Sequence, residues 1–186
     1  MSNDENSSRL DPSTKAILTH WREAVPNDRL AHLVRDAARG LTRALQFRLS
    51  EHGVSFGHWV FLRILWERDG LTQRELSVEA SLMEPTTHSA ILKMEKLGYV
   101  TRRQENGDRK RMQVYLTEHG RALRDVLVPL AEEVNAKAVI DVPLEDVEIT
   151  RRTLLAMVHN LAADEAEVVD AGLRITPTRD LAVKSA

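Results

Sequence analysis

Cysteine is absent from this 186-residue chain, aromatic residues make up only 4% of it, and it has no long hydrophobic run. Without cysteine there are no disulfides, no thiol redox chemistry and no thiolate metal sites. No apolar stretch approaches the roughly 20 residues that cross a bilayer. The N-terminus, MSNDENSSRL, is polar and lacks a signal-peptide core, so the expected location is cytoplasmic, with no membrane partner. The seven histidines show no HExxH spacing, no glycine pattern matches a phosphate loop, and no serine sits in a nucleophile elbow. No catalytic residue, cofactor or dedicated metal site is therefore expected. Histidines and carboxylates from separate helices could still meet in space, which keeps a metal-responsive protein as an alternative.

What is present is an ordinary globular composition, 42% hydrophobic and 29% charged with a net charge of −2. That length suits one well-buried domain, or a small domain with a helical appendage. The chain is organised around residues 71–117. Thr72 and Glu75 have capping-box spacing and open a short helix from Gln73 to Ala80. Pro85, with no N–H and a preset φ, suits the start of a second helix that runs through Lys96 to a stop at Gly98. Thr87, Ala90, Ile91, Met94 and Leu97 share one face of it. Thr86, His88, Ser89, Lys93 and Lys96 share the other, with Leu92 as an apolar exception.

After Gly98 the period changes from helical to alternating, over Tyr99 to Gln104 and Arg111 to Leu116. Asn106-Gly107 between them is a strong hairpin signal, because both residues tolerate positive φ. From Lys93 to Arg111 there are seven cations against three anions, a local +4 in a chain of net −2. A helix with a small polar outer face beside a basic β-ribbon is the shape needed to enter a major groove and grip flanking phosphates.

These residues resemble the winged helix-turn-helix of MarR-type transcriptional regulators. The resemblance is carried by Leu71-Thr72-Gln73-Arg74-Glu75-Leu76, by Met94-Glu95-Lys96-Leu97-Gly98-Tyr99-Val100, and by Asp108-Arg109-Lys110 followed by Val114-Tyr115-Leu116-Thr117. They cover about a quarter of the chain. Two positions depart from the family pattern: Lys110 replaces the usual second wing arginine, and Ser89 stands where the recognition helix often has arginine. The resemblance implies a mainly α fold with a small β-hairpin wing, in which a winged helix-turn-helix over 55–117 is flanked by N- and C-terminal dimerisation helices. It also implies double-stranded DNA and a second copy of the chain as partners. Thr86, Thr87, His88, Ser89 and Lys93 would face base edges and nearby phosphates. Arg102, Arg103, Arg109, Lys110 and Arg111 would hold the flanking backbone or reach the minor groove, with Asp108 orienting the tip.

On either side the pattern is helical. Residues 1–28 read as an N-terminal arm with a short amphipathic helix carrying Ile17, Leu18 and Trp21. A long helix follows from Arg29 to Glu51, with Leu30, Val34, Ala37, Leu41, Leu45 and Leu49 on one face and Arg35, Arg39 and Arg43 aligned on another. The arginines are either a solvated face or an anion-binding ridge. Arg48 falls within the apolar face, either snorkelling at a helix end or anchoring a ligand anion. Ser55 caps a helix, Phe56 to Arg68, which holds two of the three tryptophans and is apolar on nearly every side. His58 sits there as a core group or, with His52, Trp59 and Arg48, as part of a lining for a flat anionic molecule.

Thr117 caps a helix from Glu118 to about Ala138, in which Pro129 should produce a kink. After Asp141-Val142-Pro143 a last helix runs from Leu144 to Ala163. Residues 29–54 and 118–165 thus form a helical dimerisation region, and 166–186 a loosely held tail. Residues 139–170 carry eight acids against two arginines, a composition that repels DNA.

The expected protein is a homodimeric repressor, released from a pseudo-palindromic operator by a small anionic aromatic effector. Arg35, Arg39, Arg43, Arg48, His52, His58 and Trp59 are the candidate effector residues, and the ridge carries enough charge for an aromatic acyl-coenzyme A. From a different class, a winged-helix module that binds protein rather than DNA remains open, favoured by Ser89 and Leu92 on the outer face.

Overall fold

The computed structural model describes residues 12–23, 30–104 and 112–172. The chain divides into two units, Met1–Ala138 and Val139–Ala186. In the first, α1 (Pro12–Glu23) precedes α2 (Leu30–Ser50), α3 (Phe56–Glu67), β1 (Leu71–Thr72), α4 (Gln73–Glu79), α5 (Glu84–Lys96), β2 (Val100–Gln104), β3 (Met112–Leu116) and α6 (Glu118–Ala138).

α3 lies at the centre because its sequence offers almost no polar face. Trp59, Phe61, Leu62 and Leu65 are buried, and the helix packs against α2, α4, α5, β3 and α6. Ser55 accepts the His58 amide at 3.2 Å and so satisfies one orphan donor at its start. Around α3 close Leu49 from α2, Leu76 from α4, Ile91 and Met94 from α5, Val100 and Val114 from the ribbon, and Leu127 from α6. Only the C-terminal half of the α2 stripe joins this core. Leu45 and Leu49 are buried, while Leu30 and Leu41 are exposed.

The helix-turn-helix forms as its local signals predict. Thr72 and Glu75 make a reciprocal capping box: the Glu75 amide donates to the threonine hydroxyl at 3.3 Å and the Thr72 amide to the glutamate at 2.7 Å. α4 ends in a Schellman arrangement, Leu82 N–H to Ser77 C=O and Ser81 N–H to Val78 C=O, which puts Ser81 at φ 51°. A side chain in that left-handed conformation is strained, and glycine would relieve it. α5 ends the same way, Tyr99 N–H to Met94 C=O and Gly98 N–H to Glu95 C=O, and there the left-handed position is glycine, φ 74°.

β2 and β3 pair antiparallel, Val100 opposite Leu116 through Gln104 opposite Met112. β1 adds a third strand on the other edge of β3, with Leu71 opposite Val114 and Thr72 opposite Gln113. A two-residue strand has no alternation to read, which is why the sequence does not announce it. α6 starts where Thr117 accepts the Gly120 amide at 3.0 Å, and it continues through Pro129.

In the second unit α7 (Leu144–Asp170) outlasts its expected end at Ala163 and takes up the first residues of the expected tail. Nothing between Ala163 and Asp170 can stop a helix, and Gly172, at φ 75°, is the first residue that does. α7 buries none of its residues. Leu144, Leu155, Val158 and Leu161 are all more than half exposed.

Candidate nucleic-acid interface and effector cavity

The outer face of α5 is open. Thr86, His88, Ser89 and Lys93 are exposed, while Ile91 and Met94 fix the opposite face in the core. Thr87 is a correction to the base-reading set: it is fully buried, because it falls on the Ile91 and Met94 side of the wheel, and its hydroxyl has no hydrogen-bond partner among the described residues. His88 Nδ1 lies 2.9 Å from Gln73 Oε1 of α4, and the Ser89 hydroxyl donates back to Pro85 C=O at 3.0 Å.

Beside this helix stands the β2–β3 ribbon. Arg102, expected to grip phosphate, is instead committed to Glu95 of α5. Its Nε and Nη2 converge on one carboxylate oxygen at 2.9 and 2.8 Å, and its backbone amide donates to the other at 3.2 Å. The Arg102 hydrogen bond holds the Glu95 carboxyl below the usual carboxylate range. Arg102 therefore positions the ribbon against the helix, with its own charge neutralised. Arg103 is exposed, its guanidinium 5.5 Å above the Tyr115 ring. The expected tip residues Asp108, Arg109, Lys110 and Arg111 lie outside the described residues.

The candidate effector residues do not converge. His58 is buried beneath α5, edge-on to Tyr99 at 6.2 Å, and its Nδ1 has no partner among the described residues. Burial, and then the nearby Lys93 charge, push its pKa below the ordinary 6.5. His52 is exposed beyond the end of α2. Arg48 is taken by Glu133 of α6, with Nε and Nη2 at 3.3 and 3.4 Å from its oxygens. Arg48 first, and then Lys137, hold Glu133 down to about 2. A guanidinium already facing a carboxylate is a poor anchor for a ligand anion.

Trp59, by contrast, lines a cavity of about 660 Å³ between α2, α3 and α6, together with Leu41, Phe56, Arg63, Trp66, Arg124 and Asn135. Trp59 and Trp66 meet edge-to-face at 5.6 Å, and the Trp66 indole N–H is spent on Gly120 C=O at 2.9 Å. Arg35, Arg39 and Arg43 line a separate groove beside Ile17 of α1. The cavity and the groove share Ala38 and Thr42 of α2. Arg39 and Arg43 have no ion-pair partner among the described residues, while Arg35 faces its neighbour Asp36 at 3.4 Å.

Sequence reasoning missed Arg63, Trp66 and Arg124 on the cavity, and Gln73 and Glu95 behind the reading face. Arg63 and Trp66 follow Trp59 at helical spacing, a signal that was available. The other three come from elements whose approach only the fold sets.

A capped two-helix turn, a hairpin ribbon keyed to its second helix and a short third strand define a winged helix-turn-helix protein. Residues 54–112 match the model of the MarR family, and over that stretch the chain is similar to its members. It is 28% identical over 98 residues to the HTH-type transcriptional regulator TtmR of Methylorubrum extorquens, a match covering 53% of this chain and 50% of that protein. The chain thus spans about half the length of this curated relative.

Among solved structures it resembles a MarR family transcriptional regulator of Listeria monocytogenes complexed with 26mer DNA, at TM-score 0.67 and 21% identity, over 81% of this chain and 99% of that one. It also resembles a MarR family protein of Mycobacterium tuberculosis in complex with salicylic acid, at TM-score 0.58 and 23% identity, over 73% and 98%. At these identities the likeness is one of fold. Among the described residues no helix is long and apolar enough to cross a membrane, and no group of three or more histidines and carboxylates could hold a metal ion.

Proposed function

We propose that this chain is a homodimeric, sequence-specific DNA-binding repressor of the cytoplasm, released from a pseudo-palindromic operator by an anionic aromatic effector. The observation that carries the reading is the α5 face: four exposed polar side chains on a helix held from behind by the core and from the side by Arg102. The sequence adds three cations at the ribbon tip, Arg109, Lys110 and Arg111, where flanking phosphates would lie. The uncovered apolar stripe of α7 suits pairing with a second copy, and two copies would present their reading helices to half-sites about one turn, roughly 10 bp, apart. The Listeria relative, complexed with DNA, supports the same reading.

The effector would place its ring in the cavity beside Trp59 and Trp66, with Arg63 facing its carboxylate. Because the arginine groove adjoins that cavity across Ala38 and Thr42, a coenzyme A thioester could run from one into the other, its phosphates on Arg39 and Arg43. The Mycobacterium relative bound to salicylic acid supports an aromatic acid in this fold. To act, the effector must bind the DNA-free arrangement more tightly than the DNA-bound one, since equal affinity shifts nothing.

The test is a fluorescence-anisotropy titration of the promoter beside the gene at several salt concentrations. Binding that weakens steeply with salt, and is reversed by aromatic acids or their thioesters, is the expected result. No salt-sensitive binding would favour the protein-interaction reading. DNA binding that no such ligand alters would remove the effector half alone.

A further inference from the structure

We infer that His88 reads its base as a hydrogen-bond acceptor, selecting cytosine or adenine over guanine or thymine, and that Gln73 imposes this choice. The inference rests on the DNA-binding reading above and names the chemistry of its recognition face. Gln73 opens α4, and its side-chain carbonyl oxygen, which can only accept, lies 2.9 Å from His88 Nδ1. With the Gln73 amide in this orientation, His88 donates from Nδ1. A neutral imidazole carries one N–H, so the other nitrogen, Nε2, is left with a bare lone pair. It diverges from Nδ1 across the ring, away from α4. His88 is exposed and lies in the N-terminal half of α5, the part of a recognition helix that meets base edges.

Ser89 makes the same case independently. Its hydroxyl proton is used on Pro85 C=O at 3.0 Å, so what it turns outward is lone pairs. Two adjacent acceptors face the groove, and the donors that the major groove offers are cytosine N4 and adenine N6. Guanine shows only N7 and O6, and thymine O4 and a methyl group, with which a bare nitrogen cannot pair.

The test uses full-length protein and a half-site selected from a randomised duplex pool, with every base then replaced in turn and affinities read by anisotropy. Wild type should favour cytosine or adenine at one position per half-site by roughly 5- to 150-fold, the span of one good base contact. His88→Ala should flatten that position alone while leaving the melting curve unchanged. Gln73→Leu frees the ring to take either tautomer and should let guanine in.

A His88→Ala profile identical to wild type, or guanine as the favoured base at the position His88 controls, overturns the inference while DNA binding stands. Absence of salt-sensitive binding by wild type to any duplex in the pool overturns the DNA-binding reading itself, and this inference with it.

Discussion

Adding one methyl group at Gly120 should destabilise the fold by about 2–4 kcal/mol, and adding it at Gly40 should stabilise it by about 0.5–1 kcal/mol. Both glycines lie inside helices, so helix propensity alone favours alanine by about 1 kcal/mol at each. At Gly40 a Cβ meets nothing within 4 Å. At Gly120 it would sit 2.0 Å from the Tyr99 carbonyl oxygen, well inside the 3.4 Å where ordinary contact begins, and the obstacle is backbone. Relief requires the start of α6 to move away from the turn after α5.

Hydrogen bonds that cross or brace that junction include Thr117 N–H to Tyr99 C=O at 3.0 Å, the Thr117 hydroxyl to Gly98 C=O at 2.6 Å, Gly120 N–H to the Thr117 hydroxyl at 3.0 Å, and the Trp66 indole to Gly120 C=O at 2.9 Å. Partial distortion of these bonds, roughly 2 kcal/mol in all, and an overpacking cost of about 1–3 kcal/mol outweigh the propensity gain of about 1 kcal/mol. For a chain of this size that corresponds to a fall in Tm of about 5–15 °C. The assay is a pair of thermal melts at one protein concentration, which matters because pairing of copies would make Tm concentration-dependent. Equal melting temperatures for Gly120→Ala and Gly40→Ala would refute the packing argument.

Thr72→Ala removes the hydroxyl that accepts the Glu75 amide, leaving the backbone amide of residue 72 to donate to Glu75, and should cost about 1 kcal/mol in urea unfolding, with Thr72→Ser close to wild type. His58 is held below its ordinary 6.5 by burial, so as the pH falls below 6.5 the unfolded chain takes up a proton before the native one does. Stability should therefore drop from pH 7.5 to 5.5, and His58→Leu should reduce that drop; unchanged slopes would show that the imidazole is not shielded. Substituting Arg109 and Lys110 together with alanine should weaken DNA binding across all sequences and lower the salt slope by about 0.9 for each phosphate no longer neutralised. A variant with wild-type affinity and slope would place the ribbon tip away from the backbone.

The helix-turn-helix was readable because its signals are local: a threonine three residues before a glutamate, a proline after a turn, a glycine two residues past a lysine. The burial of α3 was readable for the same reason, since a segment with no polar face has only one place to go. The effector residues were read from closeness in sequence, and there the reading dispersed. Arg48 and Trp59 are eleven positions apart, yet one faces Glu133 and the other a cavity completed by α6. Polar partners such as Glu133 for Arg48, Glu95 for Arg102 and Gln73 for His88 are set by how elements pack, and no spacing rule in one sequence encodes them. Thr87 shows the opposite limit, since its place on the helical wheel already put it inward.

The Glu95–Arg102 clip has a further consequence for how such a molecule could be tuned. Because the carboxylate takes both the guanidinium and the backbone amide of the same residue, it ties the ribbon to α5 at one register. Each half of an operator would be measured by an inflexible gauge, with no tolerance for a base pair inserted within it. Adaptation to a new promoter would then have to come from the sequence being gauged, or from the distance between two gauges.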